Sequence, residues 1–442
     1  MNTNRIDRFL CNPHKIPNLL LQALLKKATL LEYTLIGGGG VSNNKFIGKN
    51  YYRWIILLVA TIAQASACFF VQGIGPLAEF FKKDFSLSDS QIGLLSSAAQ
   101  FLPIIGLLVA GELLDKFNER YIVGVGAVGV SVALLLGAIA DNYISLLICL
   151  LIVGGFYSSA QPGGAKSVSS WFPQSQRGFA MGIRQAGLPL GGALAGIVLP
   201  ASAFVYGIQG AFLVGAIVSF LGGCIFIIFY HSPAKVVAIV PESKARVSFY
   251  ANVRSRLAML AAPHMKNIIF SGVSLVIVQY VLTIFITIYF YRIYHLSLNK
   301  SAYLFFVSQA SGALGRIILA AWSDHCRKGR FFPVLFCMIA VVFGFLILIL
   351  DISGSIIYLT ILSAWLGFFG LGWYGPWVAY IVDSSPKESV GFSLGLAMSV
   401  NQIAIITAPP LFGLIQDFTD TYLLTWLILI LMIIFSLFLI KK

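Results

Sequence analysis

Apolar residues recur along the chain in runs of about 20, the length a helix needs to cross the hydrocarbon layer at about 1.5 Å per residue. Bounded by charge, Gly and Pro, these runs fall at 53–75, 90–113, 121–140, 144–170, 178–202 and 207–230. After a break they resume at 266–292, 300–322, 331–350, 356–381, 389–415 and 422–440. They are too long for barrel strands of about ten alternating residues. The pattern predicts an all-α membrane protein with twelve transmembrane helices in two six-helix halves, 51–230 and 266–442. The segment between them, 231–265, is the longest and most basic internal connection and reads as a cytoplasmic central loop. The first fifty residues stand outside this plan. Their leucine-rich stretch from Ile16 to Ile36 is interrupted by Gln22, Lys26, Lys27 and Glu32, which suits an interfacial amphipathic helix ending at Gly37–Gly40, or a start without structure, better than a span or a secretory signal.

Composition narrows the class. With 58% hydrophobic and 10% charged residues the chain cannot cover a water-exposed surface. The net charge of +14 does not point to nucleic acid, because the basic residues are scattered between spans rather than gathered on one face. Their distribution instead sets an orientation: 24 Lys and Arg fall on one side of the spans and four (Lys82, Lys83, Arg292, Lys300) on the other. The positive-inside rule then predicts a multi-pass inner-membrane protein with both termini cytoplasmic. Six dispersed cysteines and five histidines in the tail or loops provide no metal-ligand spacing, and neither a nucleophile nor a carboxylate pair is arranged for catalysis. No enzyme activity, metal or cofactor is expected.

Two loops carry a repeated signature. After the second run stands Gly111-Glu112-Leu113-Leu114-Asp115-Lys116-Phe117-Asn118-Glu119-Arg120, where a Gly admits close helix approach, an Asp sits at a helix end and basic residues follow. After the eighth run Ala320-Ala321-Trp322-Ser323-Asp324 precedes Arg327, Lys328 and Arg330, with Ala320 in place of the Gly. This duplicated loop resembles the cytoplasmic signature of the major facilitator superfamily, and the resemblance covers residues 50 to 440. It implies two six-helix halves around a central cavity and assigns Gly111, Asp115, Lys116, Arg120, Asp324, Arg327 and Arg330 to a conformational latch. The cluster Trp171-Phe172-Pro173, Arg177-Gly178 and Gly182-Ile183-Arg184-Gln185 is similar to the fourth-to-fifth span junction of anion:cation symporters. The glycine pairs of the fifth run, with Gly187-Leu188-Pro189-Leu190-Gly191-Gly192, approach an antiporter motif without matching it, so transport direction stays open.

Two arginines, Arg184 and Arg316, lie inside spans, where a charge is costly and ordinarily faces the interior or water. Gly315-Arg316 ahead of Ser323-Asp324 resembles the eighth span of monocarboxylate and oxalate:formate carriers, which implies carboxylate binding by Arg316. The alternative is an ion pair with Asp324. Gly312 stands where the monocarboxylate pattern has an Asp, so that proton relay is missing. Arg184 has no acidic residue within a turn, and Lys166 either joins the site or snorkels. Helical spacing adds Gln64, Cys68 and Gln72 on the first span and Gln279, Tyr280, Thr283 and Thr287 on the seventh. Tyr157, Gln161, Gln185, Trp373, Trp377 and Asn401 complete the candidate wall, each open to a purely interhelical role. The functional expectation is a monomeric secondary transporter of a small organic anion in contact with membrane lipid, its coupling ion unassigned. An exporter of amphipathic drug-like compounds, suggested by the Trp pair, and a non-transporting receptor are the rivals.

Overall fold

The computed structural model describes residues 45–232, 263–350, 353–385 and 390–440. Both the leucine-rich tail and nearly all of the 231–265 loop therefore lie outside the described residues. Eleven helices among the described residues are long and apolar enough to cross a membrane. One of them, Phe179–Phe229, is 51 residues long and turns at Gly207, whose φ of 68° and ψ of −178° suit a residue without a Cβ. It supplies two crossings, the fifth and sixth, so the spans number twelve, as the run pattern predicts.

The first span is Lys45–Gln72 and the third Glu119–Gly137. The seventh, eighth and ninth are Pro263–Ile293, Leu298–His325 and Phe332–Leu350. The eleventh and twelfth are Val390–Thr419 and Tyr422–Leu439. Three others are discontinuous. The second is Asp89–Phe101 followed by Pro103–Lys116, broken where Pro103 lacks an amide donor. The fourth divides into Tyr143–Tyr157 and Ala160–Trp171, and the tenth into Ile356–Gly372 and Tyr374–Ser384. Short polar side chains start the helices: Ser88 forms a capping box with Gln91, Asn142 with Ser145, and Ser297, Ser355 and Thr421 accept from first-turn amides.

The halves meet through small residues. The second span packs on the eleventh, and the fifth on the eighth. Gly75 lies against the backbone of Thr283 and Ile284, Gly93 against Pro409 and Pro410, and Gly413 against Asp89, so neither lipid nor side chain separates these helices. Ser97 Oγ donates to Ile406 O at 2.6 Å and Gln402 Nε2 to Gln100 O at 2.7 Å.

Ion pairs seal this end, opposite the basic loops. Arg292 of the seventh span donates from Nε to Glu79 at 3.2 Å and from Nη1 to Asp89 at 3.0 Å, while Lys82 also pairs with Asp89. Asp417 of the eleventh span accepts the amides of Asp89 at 2.7 Å and Ser90 at 2.9 Å, capping the second span from the other half. Burial lowers the Lys82 ammonium below the ordinary lysine range, and Asp89 pulls it back toward the charged form.

At the basic-loop end the ion pairs among the described residues stay within one half. Arg330 holds both Asp324 and Asp383, and Lys166 holds Glu119. A Cβ built on Gly93 would fall 2.4 Å from Pro409 O, a backbone atom that cannot swing aside. Gly93→Val is therefore expected to keep the sealed end from closing. Disulfide formation between cysteines placed at Gln100 and Gln402 checks this: it drops several-fold on the Val background if the glycine contact governs closure, and stays unchanged if it does not.

Candidate functional site

The breaks in the fourth and tenth spans bring backbone and side chains to the middle of the bundle, where discontinuous helices leave carbonyl groups free to accept. Arg316 takes three acceptors, one of them, Leu371 O, at the tenth-span break. It donates from Nε to Leu371 O at 3.1 Å, from Nη1 to Gln185 O at 3.0 Å and, longer, from Nη2 to Gln279 Oε1 at 3.5 Å. Its guanidinium also lies 5.3 Å from the centre of the Tyr374 ring, within cation–π range. Arg316 thus joins the eighth span to the seventh and tenth of its own half and to the fifth of the other. It is 3% exposed and makes no ion pair with Asp324, whose carboxylate Arg330 Nη1 contacts at 2.5 Å. The ion-pair alternative for Arg316 is not the arrangement observed.

Arg184, 1% exposed, lies between the first and fourth spans. Its Nη1 donates to Gln64 Oε1 at 3.0 Å and its side chain fits the notch at Gly164, where a Cβ would come within 3.1 Å of Nη1. Its Nε is buried without a hydrogen-bond partner, and so is Gln64 Nε2. Tyr157 and Tyr374 lie within electrostatic reach of both guanidiniums, as the two guanidiniums do of each other. Tyr280 and Cys68 are further neighbours of Arg316, and Gln161 faces the Tyr374 hydroxyl. The salt bridges among the described residues include neither Arg184 nor Arg316, leaving two buried cations among neutral groups.

Other candidates line adjoining levels. Gln279 Oε1 accepts from Trp373 Nε1 at 3.2 Å, and Thr283 Oγ1 accepts from Gln309 Nε2 at 3.4 Å. Trp373 and Trp377 meet edge to face, with centroids 5.4 Å apart. Trp377, however, donates to Ile268 O at 2.9 Å, and Asn401 sits beside it against Gly272, so Trp377 packs the tenth span against the seventh and eleventh, while Trp373 shares the acceptor Gln279 Oε1 with Arg316. Thr287 is buried with an unpartnered hydroxyl, and Cys68 Sγ lies 3.6 Å from Leu188 O. Lys166 is not part of the cluster: it contacts Glu119 at 3.1 Å and Leu114 O, tying the fourth span to the second-to-third loop. Tyr230 donates to the same Glu119 at 3.1 Å.

Sequence reasoning missed Tyr374 and Gln309. Tyr374 adjoins Trp373 at the tenth-span break, and the Trp373/Trp377 spacing drew attention past it; a Gly-Trp-Tyr-Gly-Pro run mid-span was the available signal. Of the latch residues, Lys116 is exposed, Asp324 pairs with Arg330, and Arg327 is exposed; the side chain of Asp115 lies outside the described residues. Gly111 has no atom within 4 Å of a built Cβ, so nothing crowds the close-approach position in this state.

Comparison with known proteins agrees with this architecture. The family model of the Major Facilitator Superfamily matches residues 60–409. An uncharacterized MFS-type transporter of Mycobacterium tuberculosis is 28% identical over 368 residues, covering 82% of this chain and 79% of its own. The hexuronate transporter of Bacillus subtilis is 25% identical over 360 residues, covering 78% and 83%. Among solved structures, a bacterial homologue of the human lysosomal transporter Spinster superposes with a TM-score of 0.66 at 17% identity, over 83% of this chain and 82% of that one. With twelve apolar crossings, a duplicated basic loop and a family match over most of its length, this chain is a multi-pass membrane protein that belongs to the Major Facilitator Superfamily.

Proposed function

We propose that the chain is a secondary transporter that carries a small organic anion across the inner membrane, both termini facing the cytoplasm, by exposing the Arg184/Arg316 site to each side in turn. The observation that carries this reading is the pair of buried guanidiniums without a carboxylate partner among the described residues. On insertion scales each costs about 2.5–3.5 kcal/mol at mid-membrane, and an anionic solute offsets that cost where a neutral one does not. The hexuronate transporter among the relatives supports the same class. The sealed end with its cross-half ion pairs, set against a basic-loop end whose ion pairs among the described residues stay within one half, is consistent with one of two alternating states. Asp115, Lys116, Arg120, Asp324, Arg327 and Arg330 then act as the latch of the opposite state.

The test is uptake by purified protein in liposomes, comparing radiolabelled D-glucuronate with D-glucose and with a cationic amphipathic dye. Glucuronate is expected to enter at least about tenfold faster than glucose, as a charge-assisted contact absent from the neutral sugar implies. Dye movement without glucuronate uptake would instead favour an exporter built around the aromatic wall of Trp373, Tyr374 and Trp377.

A further inference from the structure

The two arginines are not equivalent. A guanidinium grips a carboxylate best along one edge, where two parallel N–H groups match the two oxygens. The side edge of Arg316, Nε with Nη2, is occupied by Leu371 O and Gln279 Oε1, and its remaining Nη1 by Gln185 O. Arg184 is bonded only through Nη1, to Gln64, and its Nε is buried without a partner. Beside it the Gln64 amide holds a second unused donor, Nε2, although Gln64 is itself only 1% exposed. An unmet buried donor costs about 1–3 kcal/mol, so one on each of two hydrogen-bonded side chains is an expensive arrangement for packing alone. A site that receives an anion for part of its cycle explains both.

We infer that the solute carboxylate docks on Arg184 and Gln64, and that Arg316 serves as a positioning residue that ties the fifth span to the eighth and tenth. The inference rests on the anion reading above. In the present state the site is sealed, with Tyr374 of the second half beside both guanidiniums, so the carboxylate reaches Arg184 as the halves part. Because Gln185 O is the acceptor for Arg316, the docking residue and the tie are adjacent in sequence. An anion that draws on Arg184 therefore acts on the same turn of the fifth span that Arg316 holds.

Equilibrium binding of D-glucuronate and of its neutral amide, D-glucuronamide, to the full chain in detergent separates the roles, because the ratio of the two affinities reports the carboxylate contact alone. The parent is expected to favour glucuronate by about tenfold or more. Arg184→Gln should bring the ratio to within about twofold of one, and Arg184→Lys to an intermediate value, since Lys keeps the charge without the fork. Arg316→Gln should weaken both ligands in proportion and keep the ratio within about threefold of the parent, because it loosens the site around either ligand without removing a contact to the carboxylate. If Arg184→Gln does not fold, Gln64→Leu, which removes the unused amide donor, must still lower the ratio. A parent ratio near one overturns the anion reading and this inference with it. A parent that prefers glucuronate, with the preference lost in Arg316→Gln or retained in Arg184→Gln and Gln64→Leu, overturns this inference and leaves the anion reading standing.

Discussion

Arg292→Gln is expected to cut transport by at least about tenfold and to open the sealed end, because Arg292 is the cation that reaches from the second half to both Glu79 and Asp89 of the first. The pair is half-buried, with the Arg side chain 39% exposed, so its loss counts for less than the 3–5 kcal/mol of a fully buried pair. About 1.4 kcal/mol is enough to change the balance of two states tenfold. Lys82 remains beside both carboxylates, paired with Asp89 and 3.9 Å from Glu79, but it belongs to the first half and does not replace the tie to the second. Labelling of a cysteine placed at Ser97 by a membrane-impermeant maleimide reads the effect. Faster labelling with reduced uptake is the expected result; unchanged labelling would show that the backbone contacts at Gly75, Gly93 and Gly413 hold this end without the ion pairs.

Arg316→Gln is expected to lower both thermal stability and uptake, the latter by at least about tenfold. It strips a charged donor from Leu371 O, Gln185 O and Gln279 Oε1 at once. Hydrogen bonds between membrane helices average about 0.6 kcal/mol, and those to charged groups in water-soluble proteins about 1.5–3, so three together span roughly 2–9 kcal/mol. Arg316→Lys restores charge but not the planar spread of donors, and recovers only part of the loss. Asp324→Asn provides the control. Because Arg330 and not Arg316 holds that carboxylate, it should leave the melting temperature of the central bundle near the parent value. An equal loss of stability in Asp324→Asn would return Arg316 to the ion-pair role considered from sequence.

The crossings were legible in the sequence because lipid imposes one length and one polarity on all of them. Even the turn between the fifth and sixth spans showed as a short gap before Gly207, the residue that makes it. What lipid does not dictate was harder to read. The break of the second span follows from Pro103, whereas that of the tenth falls at Trp373, a residue with no intrinsic tendency to break a helix. Arg316 and Arg184 stood out because charge inside a span is rare, yet their partners are a carbonyl 55 residues away, a second 131 away and a glutamine 120 away. No local pattern encodes such distances. The sealed end was invisible for the same reason: Glu79, Asp89, Arg292 and Asp417 lie on separate stretches of the sequence, and only the closed bundle makes them neighbours. Lys166 shows the converse, a span cation that suggested a ligand site and instead answers to Glu119.

Asp417 fixes more than the strength of the closed end. A helix offers unbonded amides only in its first turn, so the carboxylate finds acceptable donors at Asp89 and Ser90 and at no later turn of the Asp89–Phe101 helix. Were the eleventh span to slide by one turn, about 5.4 Å, Asp417 would face amides already committed to their own helix. The joint between the halves is thus indexed. In the alternation proposed above, each return of the halves would bring the same residues into register, with no neighbouring position in which to rest.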